Sequence, residues 1–416
     1  PRRMRGMGDE IQFKAYEPRQ GQLLPGFVGE ALDPSDPVFF VDDVVEGLDL
    51  QAFERRYAVL GERAYPPRML LKLWLFGAIA GVYSGREIAR RLYWDLRFRH
   101  LAGELRPDFR TINRFRDRHR EDFSALLVET VRIAQGFGLA KLGRLAIDGT
   151  KIRANTSRSK AMSHKRMVEA EAQLKDEIAQ ILAQMDELNG AEDEEHDDDD
   201  GSGGLPAELQ RREERREKIR AARRQLEAEK AEQLEDRHQK SFADLEANMM
   251  KTGEGAMQYC YNAQAAVSED GIIVATGLST SPSDAPELVP MVEASRANTG
   301  KRPAVVLADA GYRSEENFRR LRQRRQRCVV AVGREGKRTK WPKGRWTRRM
   351  HRLMRLPWAR ELYRHRKTQG ERPFAEIKQR MRFRRFSLRG KHKARGEWDL
   401  VSAAFNILTI GRATVA

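Results

Sequence analysis

The chain has 416 residues, of which 78 are Lys or Arg and 61 are Asp or Glu, so that its formal net charge is +17. Two cysteines exclude a disulfide framework, and the longest apolar stretch, Leu70 to Tyr83, contains Lys72 and is shorter than the roughly 18 residues of a membrane-spanning helix. The sequence therefore predicts a soluble cytoplasmic protein with two or three domains, or one large domain with insertions.

The positive charge is concentrated towards the C-terminus. Residues 301–416 contain 34 Lys and Arg against 9 Asp and Glu, whereas the first 300 residues carry a net charge of −8. The positive charges of such a segment repel each other unless a polyanion neutralises them. Arginine binds phosphate through paired hydrogen bonds. Nucleic acid is therefore favoured as the partner over a membrane surface, because no basic helix has a bulky apolar face.

The N-terminal third divides into two predicted parts. Residues 1–60 are expected to be loop-rich, with short apolar patches such as PVFFVDDVV, and residues 61–140 are expected to be helical. Prolines begin the first helix in YPPRMLLKLWLFGAIAGVY. Ser84 and Glu87 have the spacing of a capping box for the second, and Thr111 is the candidate cap of the third.

The third predicted helix, within PDFRTINRFRDRHREDF, is basic. Three short helices with a basic last helix resemble a helix-turn-helix module, in which the last helix contacts DNA. The alternative is a helical bundle whose arginines are only solvated. The arginines expected at exposed, DNA-binding positions are Arg110, Arg114, Arg116 and Arg118.

Residues 158–240 differ in composition from the rest of the chain. Two long, charged, helix-forming runs flank AEDEEHDDDDGSGG, which occupies residues 191–204. A block of like charges with glycines cannot pack, so we predict an antiparallel helical hairpin with a disordered acidic tip. The acids of the tip lack the spacing of a metal site.

A sheet is predicted from residues 141–157 and 241–416. Two strand-like runs joined by SEDG indicate a β-hairpin, and a helix then ends at Gly300. AVVLADAGY is typical of a buried strand, Ser314 caps a further helix, and CVVAVG is a last short strand. This order predicts an α/β fold, with a mixed sheet and helices on both of its faces.

Two predicted strands end on an aspartate that glycine follows directly or one residue later: Asp148 in LAIDGTKIRANTS and Asp309 in VVLADAGY. Aspartate and glycine are ordinary turn residues, which is one interpretation. The other is that both carboxylates lie at one end of the sheet and, beside a phosphate-binding surface, hold divalent metal ions for phosphoryl transfer. A third carboxylate is usually needed to fix the second ion.

These two blocks, together with ERPFAEIKQRMRFRRFSLRGKHKARGEWDLVSAAFNILTI, resemble the three catalytic blocks of a DDE transposase of the bacterial insertion-sequence type. The helical part of the N-terminal third resembles the N-terminal domain of those enzymes. The resemblance covers about residues 65–153 and 243–416. It implies a ribonuclease H-like core and two Mg²⁺ ions, with Mn²⁺ as a substitute, held by Asp148, Asp309 and Glu371.

The third acid has two competitors nearby, Glu361 and Glu376. The apolar stripe of its helix is Phe374, Ile377 and Met381, and at 100° per residue Glu371 lies about 60° from Phe374 whereas Glu376 lies about 200° away. Geometry therefore favours Glu371 as the third acid.

In related enzymes a Lys follows the third acid by seven residues, as Lys378 does here. A Tyr and an Arg precede the acid at set distances, but Tyr363 and Arg366 sit one residue off that pattern. Further candidates for contact with DNA phosphates are Arg380, Arg384 and Arg385.

The resemblance predicts a transposase that binds double-stranded DNA, namely the terminal inverted repeats of an element and its target, and that cuts and joins it as a homodimer or larger assembly. Such a protein associates with the bacterial nucleoid when bound to DNA. Two alternatives are a metal-dependent nuclease without strand transfer and a non-catalytic DNA-binding protein that uses only the N-terminal helices and the arginine-rich tail.

Overall fold

Helices form the N-terminal part of the chain. The computed structural model describes residues 28–57, 64–192, 204–253, 255–333 and 342–415. In chain order the helices that precede the sheet are α1 (Pro37–Glu46), α2 (Gln51–Glu54), α3 (Pro67–Ile79), α4 (Gly85–Arg91), α5 (Leu96–Ala102), α6 (Phe109–Arg118) and α7 (Asp122–Gly136).

The prediction of a loop-rich N-terminus is wrong for the described residues, because PVFFVDDVV lies within α1. Val38, Val41 and Val45 recur at helical spacing and are fully buried. The Asp36 side chain caps the helix by accepting a hydrogen bond from the Val38 N–H at 2.9 Å. The helical spacing of the apolar residues in this segment therefore indicated a helix and not a loop.

Two of the predicted helix caps differ in detail. Ser84 is the N-cap residue of α4, but its side chain makes no capping hydrogen bond and Glu87 pairs with arginines of its own helix. Thr111 does not cap α6. Asp108 does, since its carboxylate accepts a hydrogen bond from the Thr111 N–H at 2.7 Å.

The mixed sheet is confirmed. Its strands, and those of a small two-stranded ribbon, are β1 (Arg144–Arg153), β2 (Ala161–Ser163), β3 (Gln239–Ser241), β4 (Asn248–Lys251), β5 (Met257–Ser268), β6 (Ile273–Ser279), β7 (Val305–Ala308) and β8 (Cys328–Val330). The order is β6-β5-β1-β7-β8, with β4 beside the start of β5. β5 runs antiparallel to β1 and β6, whereas β1, β7 and β8 are parallel. This arrangement is consistent with a ribonuclease H-like core.

The remaining helices are α8 (His164–Glu192), α9 (Gly204–Lys230), α10 (Leu288–Thr299), α11 (Glu315–Gln323), α12 (Arg345–Leu353), α13 (Pro357–Arg366), α14 (Arg372–Gln379) and α15 (Lys391–Val415). α8 and α9 are antiparallel, as the ion pairs of Glu171 with Arg223 and of Glu177 with Arg212 show. Residues 193–203 of the predicted acidic tip lie outside the described residues. Within the described ranges, every helix is too short or too polar to span a bilayer.

Both faces of the sheet are covered. On one face, Leu145 and Ile147 of β1 pack with α10. On the other, Ile152 belongs to a core that also contains residues of the N-terminal helices and of α14 and α15, including the buried rings of Trp74 and Trp398. The N-terminal helices therefore share one continuous hydrophobic core with the sheet.

Arg116 is part of this core, and the prediction that it is exposed is wrong. Its guanidinium lies over the Trp74 ring, 4.5 Å from the centroid, and donates to Ser387 Oγ at 2.7 Å. The physical reason is Glu397, a buried carboxylate that the charge of Arg116 stabilises and that also accepts hydrogen bonds from Ser387. The other three arginines of the predicted set, Arg110, Arg114 and Arg118, are exposed.

The Arg116→Met substitution should lower the free energy of unfolding by about 3–5 kcal/mol, because it leaves the buried Glu397 without its cation. Urea denaturation measures this value. Arg114→Met, on the exposed side of the same helix, should change it by less than about 0.5 kcal/mol. Equal stability of the two variants would contradict the pairing.

Candidate active site

Strand register brings the two predicted aspartates to the same level of the sheet. Ile147 of β1 pairs with Ala308 of β7, and each is followed directly by one of the aspartates, Asp148 and Asp309. The prediction that the first strand stops on its aspartate is wrong, since β1 continues to Arg153 against β5. β7 does end before Asp309, so only the second aspartate follows its strand.

Asp309 is both a turn residue and a candidate site residue. Its carboxylate accepts a hydrogen bond from the Gly311 N–H at 2.8 Å and so caps the short 3₁₀ turn Ala310–Tyr312. The two interpretations of the Asp–Gly pattern are therefore compatible here. The turn holds the carboxylate in place beside β1.

The third acid lies at a π-helical turn, Lys367–Glu371, that joins α13 to α14. Arg366 Nη2 donates to Glu371 Oε1 at 2.9 Å, and Arg366 Nη1 lies 3.6 Å from Asp148 Oδ2. The Tyr363 ring centroid is 5.6 Å from the Arg366 guanidinium carbon. One extra residue in a helix is absorbed as such a π-turn. The one-residue offset of Tyr363 and Arg366 in the sequence is thus matched by a turn one residue wider.

The π-turn is anchored to the sheet by two of its own residues. The buried Gln369 donates Nε2 hydrogen bonds to the Arg144 carbonyl at 3.0 Å and to the Val267 carbonyl at 2.8 Å. Gly370 lies against the first aspartate, since a Cβ placed on it would be 3.4 Å from Asp148 Cβ. The turn therefore packs directly on the part of β1 that carries Asp148.

The orientation of α14 agrees with the apolar stripe predicted for it. Phe374, Ile377 and Met381 are all buried in the core. Lys378, two turns after Glu371, donates a hydrogen bond to Thr150 Oγ1, two residues beyond Asp148. Glu376 accepts from Arg412 of α15 instead. Of the two glutamates of this helix, Glu371 is thus the one that lies beside Arg366 and the first aspartate.

Burial dominates the electrostatics of the site. Because the Asp148 side chain is only 14 % exposed, loss of hydration raises its pKa to about 7, against the lowering effects of Arg366 and the Gly149 N–H. The carboxylates of Asp309 and Glu371 raise it further. Burial also raises the pKa of Asp309. Burial therefore disfavours the charged forms of both aspartates.

The donor set fits a hard divalent cation, since Mg²⁺ and Mn²⁺ prefer carboxylate oxygens. Within the described parts of the chain, no three acidic, histidine or cysteine side chains are grouped closely enough to hold a metal ion. Arg366, which contacts both Asp148 and Glu371, is the cation between them in this arrangement.

Two further polar residues at this level were not predicted. Lys151 projects from the opposite face of β1 to Asp148 and forms an ion pair with Asp284 at 3.0 Å. Asp284 also raises the pKa of Asp309. The signals in the sequence were the Lys of IDGTK and the acid of SPSDAPE, but nothing in either stretch indicates the other.

Two family matches agree with this architecture. The family described as Transposase DDE domain matches residues 210–407, which contain Asp309 and Glu371, and the family described as Transposase domain (DUF772) matches residues 27–118, which contain α1 to α6. Comparisons with curated proteins and with solved structures gave no match. The mixed α/β fold is consistent with the first of these families. Together the two matches support a DDE transposase of an insertion sequence.

The raised pKa of Asp148 predicts a pH-dependent effect of the Asp148→Asn substitution. Between about pH 4 and about pH 7 the folded protein retains a proton that the unfolded chain releases, so wild-type stability falls as pH rises through this window. The amide of the variant does not titrate in this window. The variant should therefore become more stable than wild type with rising pH, by up to about 4 kcal/mol above pH 7.

Thermal or urea unfolding without added metal, at several pH values, measures this difference. Glu361→Gln, which removes an exposed carboxylate of α13, is the control and should show no such pH dependence. A stability difference for Asp148→Asn that stays constant with pH would contradict the assigned shift.

Proposed function

We propose that the protein is a DNA transposase that binds the ends of its element and catalyses Mg²⁺-dependent phosphodiester hydrolysis and strand transfer. The observation that carries this proposal is that Arg366 contacts both Asp148 and Glu371, while strand register places Asp309 at the level of Asp148, within a fold consistent with a ribonuclease H-like core. The family match supports it.

Asp148, Asp309 and Glu371 would hold the Mg²⁺ ions. When bound, these ions stabilise negative charge on the phosphate oxygens and lower the pKa of a water nucleophile. The protein residues present the carboxylates: the Gly311 N–H orients Asp309, and Gln369 holds the π-turn before Glu371. No side-chain nucleophile is required, because water attacks first and a DNA 3′-hydroxyl attacks in the joining step.

Lys378 and Arg366 are two cationic groups on the side of β1 that carries Asp148. The ammonium of Lys378 lies at Thr150, on the same face of β1 as Asp148, where it would bind a DNA phosphate next to the scissile one. Arg366 balances the charge of Asp148 and Glu371. Both lie beside the acids, and so would act on the phosphate backbone and not on bases.

A wider DNA surface is proposed on exposed arginines. Arg380, Arg384 and Arg385 are exposed and follow Lys378 in the chain. In the N-terminal helices, Arg110, Arg114 and Arg118 of α6 are exposed, and we assign Arg110 and Arg114 to recognition of the element ends.

The decisive experiment incubates the full chain with Mg²⁺ and a labelled duplex carrying a candidate end from the flanks of its own coding sequence. Cleavage followed by joining to a second duplex supports a transposase. Cleavage without joining would indicate a nuclease, and binding without cleavage a non-catalytic DNA-binding protein.

The Glu371→Gln substitution should eliminate cleavage with little effect on DNA binding, because it removes a metal-binding carboxylate and leaves the phosphate contacts. The matched control is Glu376→Gln in the same helix, which should retain most of the activity because Glu376 pairs with Arg412. Gel-based cleavage and binding assays measure both. The reverse pattern would show that the wrong glutamate was chosen.

Arg110→Ala and Arg114→Ala should weaken binding to the element end by about 1–3 kcal/mol, and binding to random duplex by less, because contacts with base edges depend on sequence. Arg384→Ala is the comparison, since loss of a phosphate contact should weaken both complexes alike. Fluorescence anisotropy at two salt concentrations gives the values. Equal losses on both duplexes for the α6 variants would count against the recognition assignment.

A further inference from the structure

A polar network lies on the face of β1 opposite the π-turn. Its centre is Asp284, in the loop between β6 and α10. Asp284 Oδ1 accepts hydrogen bonds from Lys151 Nζ at 3.0 Å, Asn262 Nδ2 at 2.7 Å and Gln264 Nε2 at 3.0 Å. Gln264 Oε1 in turn accepts from the Tyr312 hydroxyl. The network thus joins β1, β5 and the turn after β7.

The Asp284 carboxylate also lies against both glycines of the Asp–Gly pattern. A Cβ at Gly149 would be 3.0 Å from Asp284 Oδ1 and 2.2 Å from Gln264 Nε2. A Cβ at Gly311 would be 3.0 Å from Asp284 Oδ2 and 3.0 Å from Asp309 Oδ1. Neither glycine has a positive φ, so the backbone conformation itself does not require glycine. The space for a side chain is instead limited by Gln264 and Asp284 at Gly149, and by Asp284 and Asp309 at Gly311, so that Asp284 is the neighbour common to both glycines.

The negative charge of Asp284 is not needed for its hydrogen bonds. All three described bonds end on Oδ1, which the amide oxygen of an asparagine would reproduce. The charge instead balances the ammonium of Lys151, and both groups act electrostatically on Asp309. A carboxylate near other carboxylates destabilises the folded protein unless a cation, here Lys151, compensates its charge.

We propose that Asp284 is a positioning residue of the active site, which fixes the Asp148–Gly149 and Asp309–Gly311 segments relative to each other and balances the charge of Lys151 beside Asp309. The inference rests on the proposed function, because it assigns Asp284 a role towards the same carboxylates. Asp284 acts through Lys151 and Gly311, not on the phosphate itself.

The test compares Asp284→Asn, Lys151→Met and the double variant with wild type. Mn²⁺ binding to the full chain is measured without DNA, from the electron paramagnetic resonance signal of free Mn²⁺, and urea unfolding checks folding. Asp284→Asn should bind Mn²⁺ about tenfold more weakly, because the charge of Lys151 is then unbalanced. Lys151→Met should bind at least as tightly as wild type. The double variant should recover most of the lost affinity.

The matched control is Glu293→Gln on α10, which removes an exposed negative charge that pairs with Arg324 and should leave Mn²⁺ binding unchanged. Asp284→Asn that binds Mn²⁺ like this control, or a double variant no better than Asp284→Asn, would overturn the proposal. If Asp284→Asn does not fold, the double variant decides: affinity near that of wild type supports the proposal, and a tenfold loss refutes it.

Cleavage of a labelled end, measured in parallel, separates this inference from the proposed function. Mn²⁺ binding with the expected pattern but without cleavage by wild type would refute the transposase and leave the role of Asp284 standing. Absence of Mn²⁺ binding by wild type would refute both.

Discussion

The buried charge of Asp148 is the constraint on which the arrangement of the site depends. β1 is the central strand, so a carboxylate on it is desolvated by neighbours on both sides, and only a nearby cation offsets that cost. Arg366 supplies it. In a regular α-helix, residues five apart are separated by about 140° around the axis, so Arg366 would point away from Glu371. The π-turn brings both to the same side, and Gln369 holds it on the sheet.

A second constraint joins the N-terminal helices to this strand. Arg116 of α6 donates to Ser387, and one residue earlier the Phe386 N–H donates to the Arg153 carbonyl at the end of β1 at 2.8 Å. Glu397 accepts hydrogen bonds from Ser387 and stabilises Arg116. The exposed face of α6 is therefore tied to the strand that carries Asp148 by a short path of buried polar contacts. DNA held on that face would be positioned relative to the carboxylates by the core itself.

Local signals predicted much of the fold. The turn after β5, the end of α10 at Gly300 and the cap at Ser314 are decided by a few neighbouring residues, and the structure confirms them. The buried face of α14 followed from the periodicity of its apolar residues, whereas Glu371 as the third acid stays a prediction. Burial of Arg116 did not follow from any local pattern, because its partner Glu397 lies 281 positions further along the chain. In the sequence, the π-turn was indicated only by the one-residue offset of Tyr363 and Arg366 from the spacing in related enzymes.

The difference between local signals and contacts distant in sequence also explains why the role of Gly149 and Gly311 was not predicted. Read locally, glycine after aspartate indicates a turn, and for Asp309 that interpretation holds. The space at both positions is also limited by the loop that carries Asp284, together with Gln264 at Gly149, and no spacing within the Asp–Gly blocks indicates either neighbour. Asp148, Asp284, Asp309 and Lys151 lie near the level where β7 ends. Asp284 and Lys151 affect the pKa of Asp309, and Asp309 affects the pKa of Asp148. Burial and repulsion between carboxylates raise the pKa of both Asp148 and Asp309, so that a change at one of these residues alters the titration of its neighbours.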